Sequence, residues 1–272
     1  MNLLTVGITV HNESMEDVNN SIESISNIAG LTFTVSVDNN NSLLNEIKNQ
    51  YPAFKVFGSD SNVGLGESRN KIIKTCETPW LTFLDVGDEL VADVLKQFLE
   101  IQNNDIDIYI YQTTKFYKGE FVSSKQLITS KHRLLYENAF LNFQTSATAK
   151  IMNLSFLLKN KIFFDKKNLY HEDLLMMPKL YSEMNRYRIF REPLYLWFVK
   201  ENTLSTSMNT KKISDLAYIF KKRRKFYMEI EDILDIKFIK KSERLFLFRK
   251  IKNSRKYYYF FNYLKFIYSD HE

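Results

Sequence analysis

The chain has few of the residues that cross-link, break or anchor a fold. Its 272 residues include one cysteine, Cys76, which excludes an internal disulfide and suits a reducing compartment. With four histidines beside it, little is available for a zinc site. Seven glycines and four prolines argue against long disordered linkers, and neither repeats nor low-complexity segments occur. No apolar run reaches the ~18 residues that suggest a membrane span. The first residues, Met1-Asn2-Leu3-Leu4, lack a basic region and enter a strand pattern at once, so no signal peptide is expected. What remains is 44% apolar and 26% charged, a soluble globular composition. The length suffices for one large core or one domain with an appendage.

Charge is unevenly placed. The net +6 resolves into 17 Lys/Arg against 8 Asp/Glu over residues 211–272, and 21 against 24 before them. A basic C-terminal quarter therefore follows a mildly acidic body, and the composition shifts near Thr206 to Lys211.

The chain is organised around Trp80-Leu81-Thr82-Phe83-Leu84-Asp85-Val86-Gly87-Asp88-Glu89-Leu90. Its first five residues read as a short buried strand, which then ends in two acids flanking a glycine. In open α/β sheets, ligands bind at the carboxyl ends of strands. Two carboxylates there can hold a hard cation with its phosphate ligands, or bond a ribose. The plainer alternative is a helix cap, a turn glycine and a solvated acid.

Leu4 to Val10 reads as a doubly buried strand, ending in the polar His11-Asn12-Glu13-Ser14. Ser14 and Asp17 have capping-pair spacing. Val18, Ile22, Ile25 and Ile28 predict a helix stopped by Gly30. Phe33 to Val37 predicts a strand ending in Asp38-Asn39-Asn40-Asn41-Ser42. A helix through Leu43, Leu44 and Ile47 and a short strand at Lys55-Val56-Phe57 follow. This alternation indicates a parallel, doubly wound sheet. Asn62-Val63-Gly64-Leu65-Gly66-Glu67-Ser68-Arg69-Asn70 is a glycine turn opening a helix through Ile72, Ile73 and Cys76. Such a turn can bind an anion or be a plain loop. Arg69, in its first turn, can face the sheet edge where Asp38 and Asp85 would lie.

Three polar strand ends thus converge, and here the sequence resembles family 2 glycosyltransferases of the GT-A fold. Their motifs have counterparts in Val10-His11-Asn12, in Asp38 to Ser42, in Asn62 to Asn70 and in Phe83-Leu84-Asp85-Val86-Gly87-Asp88, in order and at ordinary spacing. Val10 and His11 replace the usual proline and tyrosine, and Ser68 an alanine. Gly87 stands at the second acid of the Asp-x-Asp triplet, leaving Asp88 beside it.

Farther on, Val94, Leu95, Phe98 and Ile101 suggest a helix, Asp107 to Tyr111 a strand, and Lys115 to Lys131 a polar hairpin or loop. Ala149 to Asp173 resembles a further family pattern, with a helix and an Ile162-Phe163-Phe164 strand around Lys159-Asn160-Lys161. Tyr170-His171-Glu172-Asp173 then opens a helix. By the residues alone, Glu172 and Asp173 can simply favour a helix N-terminus; by the resemblance, Asp173 is the general base. Pro193 to Phe198 predicts a strand, and Glu201 to Thr206 resembles the family's ending.

The basic tail shows Ile213, Leu216, Ala217, Phe220, Tyr227, Ile230 and Leu234 on one helical face, interrupted by Lys221-Lys222-Arg223-Arg224-Lys225. A second helical stretch, Ser242 to about Ser269, carries eight aromatics in the twelve residues Tyr257 to Tyr268. Such a tail suits an anionic membrane surface or packs on the body with its lysines solvated. Without an RNA-binding signature, a nucleic-acid partner is not expected.

The resemblance implies a GT-A domain over residues 1–206, with a nucleotide-binding half (1–90) and an acceptor and catalytic half (91–206), then a helical region over 207–272. It implies an inverting transfer from a nucleotide-diphosphate sugar, a UDP-sugar, to a hydroxyl of a glycan or polyprenyl-linked acceptor in bacterial polysaccharide or glycoconjugate synthesis. His11, Asn12, Glu13, Asp38, Asn40, Gly64, Arg69, Asp85, Val86 and Glu172 would bind the donor, and Asp173 would be catalytic. Asp88, Asp85 and His171 would hold Mn2+ or Mg2+. The location would be cytoplasmic, peripheral at the inner membrane face, with a homodimer left open. The competing reading, kept open by Gly87, is a non-catalytic nucleotide-sugar-binding or membrane-adaptor protein on the same fold.

Overall fold

The structure, a computed structural model, describes residues 2–123, 146–199 and 210–229. Strands β1 (Leu4–Val10), β2 (Leu31–Asp38), β3 (Lys55–Ser59) and β4 (Trp80–Asp85) alternate with helices α1 (Met15–Glu23), α2 (Asn41–Gln50) and α3 (Leu65–Thr75). They pair in parallel, β3-β2-β1-β4. After β5 (Glu89–Leu90) and α4 (Ala92–Ile101) come β6 (Ile108–Tyr117), β7 (Glu120–Ser123), β8 (Lys150–Asn153), α5 (Leu154–Lys159), α6 (Asp173–Glu183), β9 (Tyr187–Phe198) and α7 (Thr210–Glu229). These strands extend the sheet as β4-β8-β6-β9-β5, with β7 on β6. β8 runs antiparallel to β4 and β6, while β6 and β9 are parallel.

Residue alternation along each strand sorts the apolar side chains onto two faces. Trp80 and Leu84 join Val6, Ile8 and Tyr109 in the core beneath α1, α2 and α4. Leu81 and Phe83 join Ile72, Ile110, Leu180 and Phe220 beneath α3, α5, α6 and α7. Burying roughly 25 cal/mol per Å² of apolar surface on both faces makes this a three-layer α/β/α body. All seven residues of β1 are buried, as its largely apolar run predicts. Gly7 lets α3 close on the sheet, because a Cβ there would meet Ile72 Cγ2 at 2.7 Å.

Chain direction sets where the site lies. β2 and β3 stack to one side of β1, and β4 returns to its other side. The winding reverses between β1 and β4, so a crevice opens at their carboxyl ends.

Several local expectations are corrected. α1 ends at Glu23, with Ser24 as its C-cap. Ile25 is buried beyond the helix, so helical spacing overruns the true end. Ile162-Phe163-Phe164 is not a strand. Phe164 donates its N–H to Asn70 Oδ1 (2.9 Å) and accepts from Asn70 Nδ2 (3.2 Å), so a side chain takes the place of a sheet neighbour. β6 runs on to Tyr117 and turns at Lys118 and Gly119, both at positive φ, into the β7 hairpin. β9 begins at Tyr187, earlier than its apolar half suggests, because Arg188, Arg191 and Glu192 obscure the pattern.

α7 joins the body. Leu216, Ile219 and Phe220 sit in the same core as Ile72 and Leu180. Within its basic run, Arg223 is buried and donates to the Leu174 carbonyl (2.9 Å), and Lys222 pairs with Asp165 (2.7 Å). Arg223 thus packs the helix against the body, while Lys222 stays about half exposed and pairs with Asp165 at the surface. The expected Glu201–Thr206 segment and Ser242–Ser269 helix lie outside the described residues. Among those described, no helix is long and apolar enough to cross a membrane.

Candidate active site

The ends of β1 and β2 are tied into one polar network. The His11 N–H donates to Glu13 Oε2 (2.6 Å), and His11 Nδ1 lies 2.8 Å from the Asp38 carbonyl oxygen. Asn40 donates to the His11 carbonyl (3.2 Å) and caps α2 by accepting from Leu43 N (3.1 Å). Asn12 is exposed at the crevice. The Asp38 carboxylate is buried and accepts from Ser59 Oγ (2.7 Å), Val63 N (2.9 Å) and Gly64 N (2.8 Å). It therefore fixes the glycine turn. Gly64 holds φ 84 and ψ 166, a region open essentially only to glycine.

At the end of β4, the chain turns through Val86, Gly87 and Asp88. Gly87 sits at φ 93 and donates its N–H to Ser21 Oγ (2.8 Å). That conformation selects glycine where the family pattern has an acid. Asp88 points into the fold: Oδ2 accepts from Tyr195 O–H (2.7 Å) and Oδ1 from Phe198 N (2.9 Å). The same Tyr195 oxygen accepts the Asp85 N–H (3.2 Å). Burial beside these two acids pushes the Tyr195 phenol well above its ordinary value.

Arg69 is the hub. From the first turns of α3 its guanidinium lies between the Phe83 and Phe164 rings, 5.4 and 5.5 Å from their centroids, and it is 1% exposed. Nη2 donates to Asp85 Oδ1 (2.7 Å); Nη1 donates to Glu172 Oε1 (2.8 Å) and Asp173 Oδ1 (2.9 Å). Burial opposes its charge, but the three carboxylates outweigh that and hold its pKa above the ordinary value. Arg69, expected at the sheet edge near Asp38 and Asp85, does pair with Asp85, and also with Glu172 and Asp173, while the Asp38 carboxylate bonds Ser59 and the glycine turn instead.

The three acids differ in access. The Glu172 side chain is 4% exposed, that of Asp173 20% and that of Asp85 37%. Burial first, then the adjacent Asp173 charge, raise the Glu172 pKa against the pull of Arg69. Asp173 is raised too, chiefly by burial, with Arg69 pulling down and Asp85 pushing up. A partly open carboxylate with a raised pKa is suited to accept a proton. His171 occupies the left-handed region (φ 62) just before it.

Among the described residues, no three His, Cys, Asp or Glu side chains form a metal-holding group. The expected set of Asp85, Asp88 and His171 is therefore not assembled, because Asp88 is committed to β9. Among the described residues of that set, Asp85, with its side chain 37% exposed, keeps a solvent side that fits a divalent cation. Mg2+ and Mn2+ sites completed by phosphate oxygens and water need only one or two carboxylates.

Sequence reasoning missed two residues here. Tyr195 holds both Asp85 and Asp88, and its aromatic strand gave no sign of that. Lys150 is fully buried on β8 within range of the Asp173 charge. A lysine directly before the apolar pair Ile151-Met152 was the available signal.

A sequence model of glycosyl transferase family 2 matches residues 5–167. The chain belongs to glycosyl transferase family 2. The match spans β1 to the segment preceding Glu172 and takes in the strand ends described above. A "Teichoic acid poly(glycerol phosphate) polymerase" of Staphylococcus epidermidis is 27% identical over 214 residues, 72% of this chain and 28% of that protein. The chain thus spans little more than a quarter of that relative's length. Among solved structures, S. aureus TarS 1–349 in complex with UDP-GlcNAc superposes at TM-score 0.65 and 19% identity, over 94% of this chain and 74% of that one. The longer S. aureus TarS structure gives 0.61 at 19% identity, over 93% and 44%. The fold of this family 2 member is accordingly GT-A, a curled, mostly parallel sheet flanked by helices.

Proposed function

We propose that this chain is an inverting glycosyltransferase that moves a hexosyl or N-acetylhexosaminyl group from a UDP-sugar to a hydroxyl of a glycan or polyprenyl-linked acceptor, in bacterial cell-surface polymer synthesis. The observation that carries this is the Arg69 hub, which sets Asp173, partly open to solvent, beside Asp85 at the carboxyl end of β4. The S. epidermidis relative's name supports the polymer class. The TarS complexes with UDP-GlcNAc and UDP support a UDP-sugar donor.

In this reading the base rests on the turn that Asp38 braces, near His11, Asn12 and Asn40, and ribose and diphosphate run past Val86 toward Asp85. Mn2+ or Mg2+ at Asp85 would neutralise negative charge on the departing diphosphate. The chain's own residues do the rest. Asp173 takes the proton of the acceptor hydroxyl as that oxygen forms its bond to the anomeric carbon. The bond from that carbon to the diphosphate breaks on the opposite face, and UDP leaves with the electron pair. Arg69 keeps Asp173 aimed and Asp85 in place, and general-base help of this kind contributes roughly 10²–10⁴-fold. Location at the inner membrane face, through residues 211–272, belongs to the same proposal.

The test is calorimetric binding of UDP-, GDP- and dTDP-sugars with and without Mn2+. Binding of one UDP-sugar, tightened by metal, is expected. No binding of any nucleotide sugar under either condition contradicts the reading.

A further inference from the structure

The acids that Arg69 gathers from the α6 side, Glu172 and Asp173, follow a short irregular stretch of backbone. His171, just ahead of them, sits in the left-handed region (φ 62). Few non-glycine residues adopt it, and it persists only where the surroundings hold it. Contacts that hold this stretch come from α7. Asp215, 3% exposed, accepts the Tyr170 N–H on Oδ2 (3.0 Å). About two turns farther along the helix, buried Arg223 donates from Nη1 to the Leu174 carbonyl (2.9 Å). One anchor thus lies on each side of His171-Glu172-Asp173.

The same helix reaches the glycine turn. Lys211 Nζ bridges Asp215 Oδ2 (2.7 Å) and the Asn168 carbonyl (2.7 Å). Asn168 in turn donates from Nδ2 to Asn62 Oδ1 (2.9 Å), and it packs so closely on Gly64 that a Cβ there would collide with Asn168 Oδ1. One continuous set of bonds therefore joins the turn that Asp38 braces, the backbone leading into the acids, and α7. Packing of the helix does not require these polar bonds, since Leu216, Ile219 and Phe220 already bury its apolar face. A carboxylate taken out of water calls for partners, and those of Asp215 are the backbone ahead of the acids and a lysine that grips the same backbone.

We propose that Asp215 and Arg223 are positioning residues for Asp173, and that α7 is thereby a working part of the transfer site. Arg69 fixes the carboxylates relative to β4, and the α7 anchors fix the backbone that carries them. This rests on the reading of Asp173 as the base.

The test compares the full chain as wild type, Asp215→Ala and Asp215→Asn, the last keeping an oxygen that accepts the Tyr170 N–H. Amide hydrogen exchange is read first and needs no substrate. Residues 170–175 should exchange roughly tenfold faster or more in Asp215→Ala, the scale of one lost hydrogen bond to a charged group, while β1 and β4 keep wild-type protection. Asp215→Asn should stay close to wild type. Unchanged exchange over 170–175 overturns the proposal, and so does equal acceleration throughout the chain, which reports global stability only. The second readout is release of UDP from UDP-GlcNAc. In Asp215→Ala, kcat should fall roughly 10- to 100-fold at unchanged KM, with most of it restored in Asp215→Asn. A raised KM at wild-type kcat, or wild-type kinetics beside a loosened 170–175 segment, overturns the proposal. If the wild type does not turn over that sugar, exchange alone decides. If Asp215→Ala does not fold, Lys211→Met, at a half-exposed position, takes its place, and a segment as protected as in wild type overturns the proposal. Wild-type UDP release by Asp173→Asn would instead remove the base reading, leaving the anchors to the exchange result.

Discussion

Arg69 and Asp85 meet at 2.7 Å between Nη2 and Oδ1, which fastens the helix after the glycine turn to the end of β4. The other guanidinium nitrogen holds Glu172 and Asp173, so one side chain joins two halves of the site that lie about a hundred residues apart. Removing it leaves buried acids without their cation. Arg69→Met should destabilise the protein by about 3–5 kcal/mol, the usual consequence of breaking a buried ion pair from one side. Arg69→Lys should recover only a minor part, because an ammonium cannot present two forks to acids on opposite sides. Denaturant melts of the three proteins check this. Equal stability of Arg69→Lys and wild type would mean that charge alone matters.

Tyr195 stands between Asp85 N–H and Asp88 Oδ2. Tyr195→Phe leaves the buried Asp88 oxygen without that donor, at a cost of about 1–3 kcal/mol. It also releases the Asp85 backbone, so UDP affinity should weaken along with the melting temperature. Unchanged UDP affinity would show that the strap serves stability only.

Gly87 is where the family pattern has an acid, and its φ of 93 gives the reason. Gly87→Asp should not rebuild a stronger metal site. It should cost about 1–3 kcal/mol of backbone strain, read as a lower melting temperature without gain in Mn2+-dependent UDP affinity. Tighter Mn2+ binding at unchanged stability would refute that account.

The buried titrating pair gives stability two pH regimes. Glu172 binds its proton more tightly in the folded state, so its contribution is present below the ordinary glutamate value of 4.5 and is lost as pH rises through the raised folded value. Lys150 behaves in the opposite sense: with its folded pKa lowered to about 7 from 10.5, its burial penalty is relieved as pH rises between those values. Urea midpoints followed across pH should fall on the acid side and recover on the alkaline side. Glu172→Gln should shrink the fall to the share that Asp173, also raised, contributes, and Lys150→Met should remove the recovery; variants with wild-type slopes would contradict both assignments.

Much of this was legible in the sequence because apolar runs ended in acids and amides at β1, β2 and β4, and because the glycine turn preceded Arg69. Those features are local. What escaped reading depends on partners far along the chain. Phe164 looks like strand because its neighbours are apolar, yet its backbone pairs with Asn70, 94 residues away. Asp88 looks like a metal ligand until Tyr195, 107 residues away, takes its oxygen. Helical periodicity ran α1 past Ser24 because Ile25 is as buried outside the helix as it would be inside it. The charge of Lys150 was visible, but its burial was not, since that follows from the turn folding back over it.

The central claim is that Asp173 is the base of a sugar transfer. The most direct measurement compares wild type and Asp173→Asn for release of UDP from the UDP-sugar that binds, alongside UDP affinity by calorimetry. The account predicts that UDP release falls by roughly 10²-fold or more while UDP binds as before. Release at the wild-type rate by Asp173→Asn, with binding intact, would contradict it.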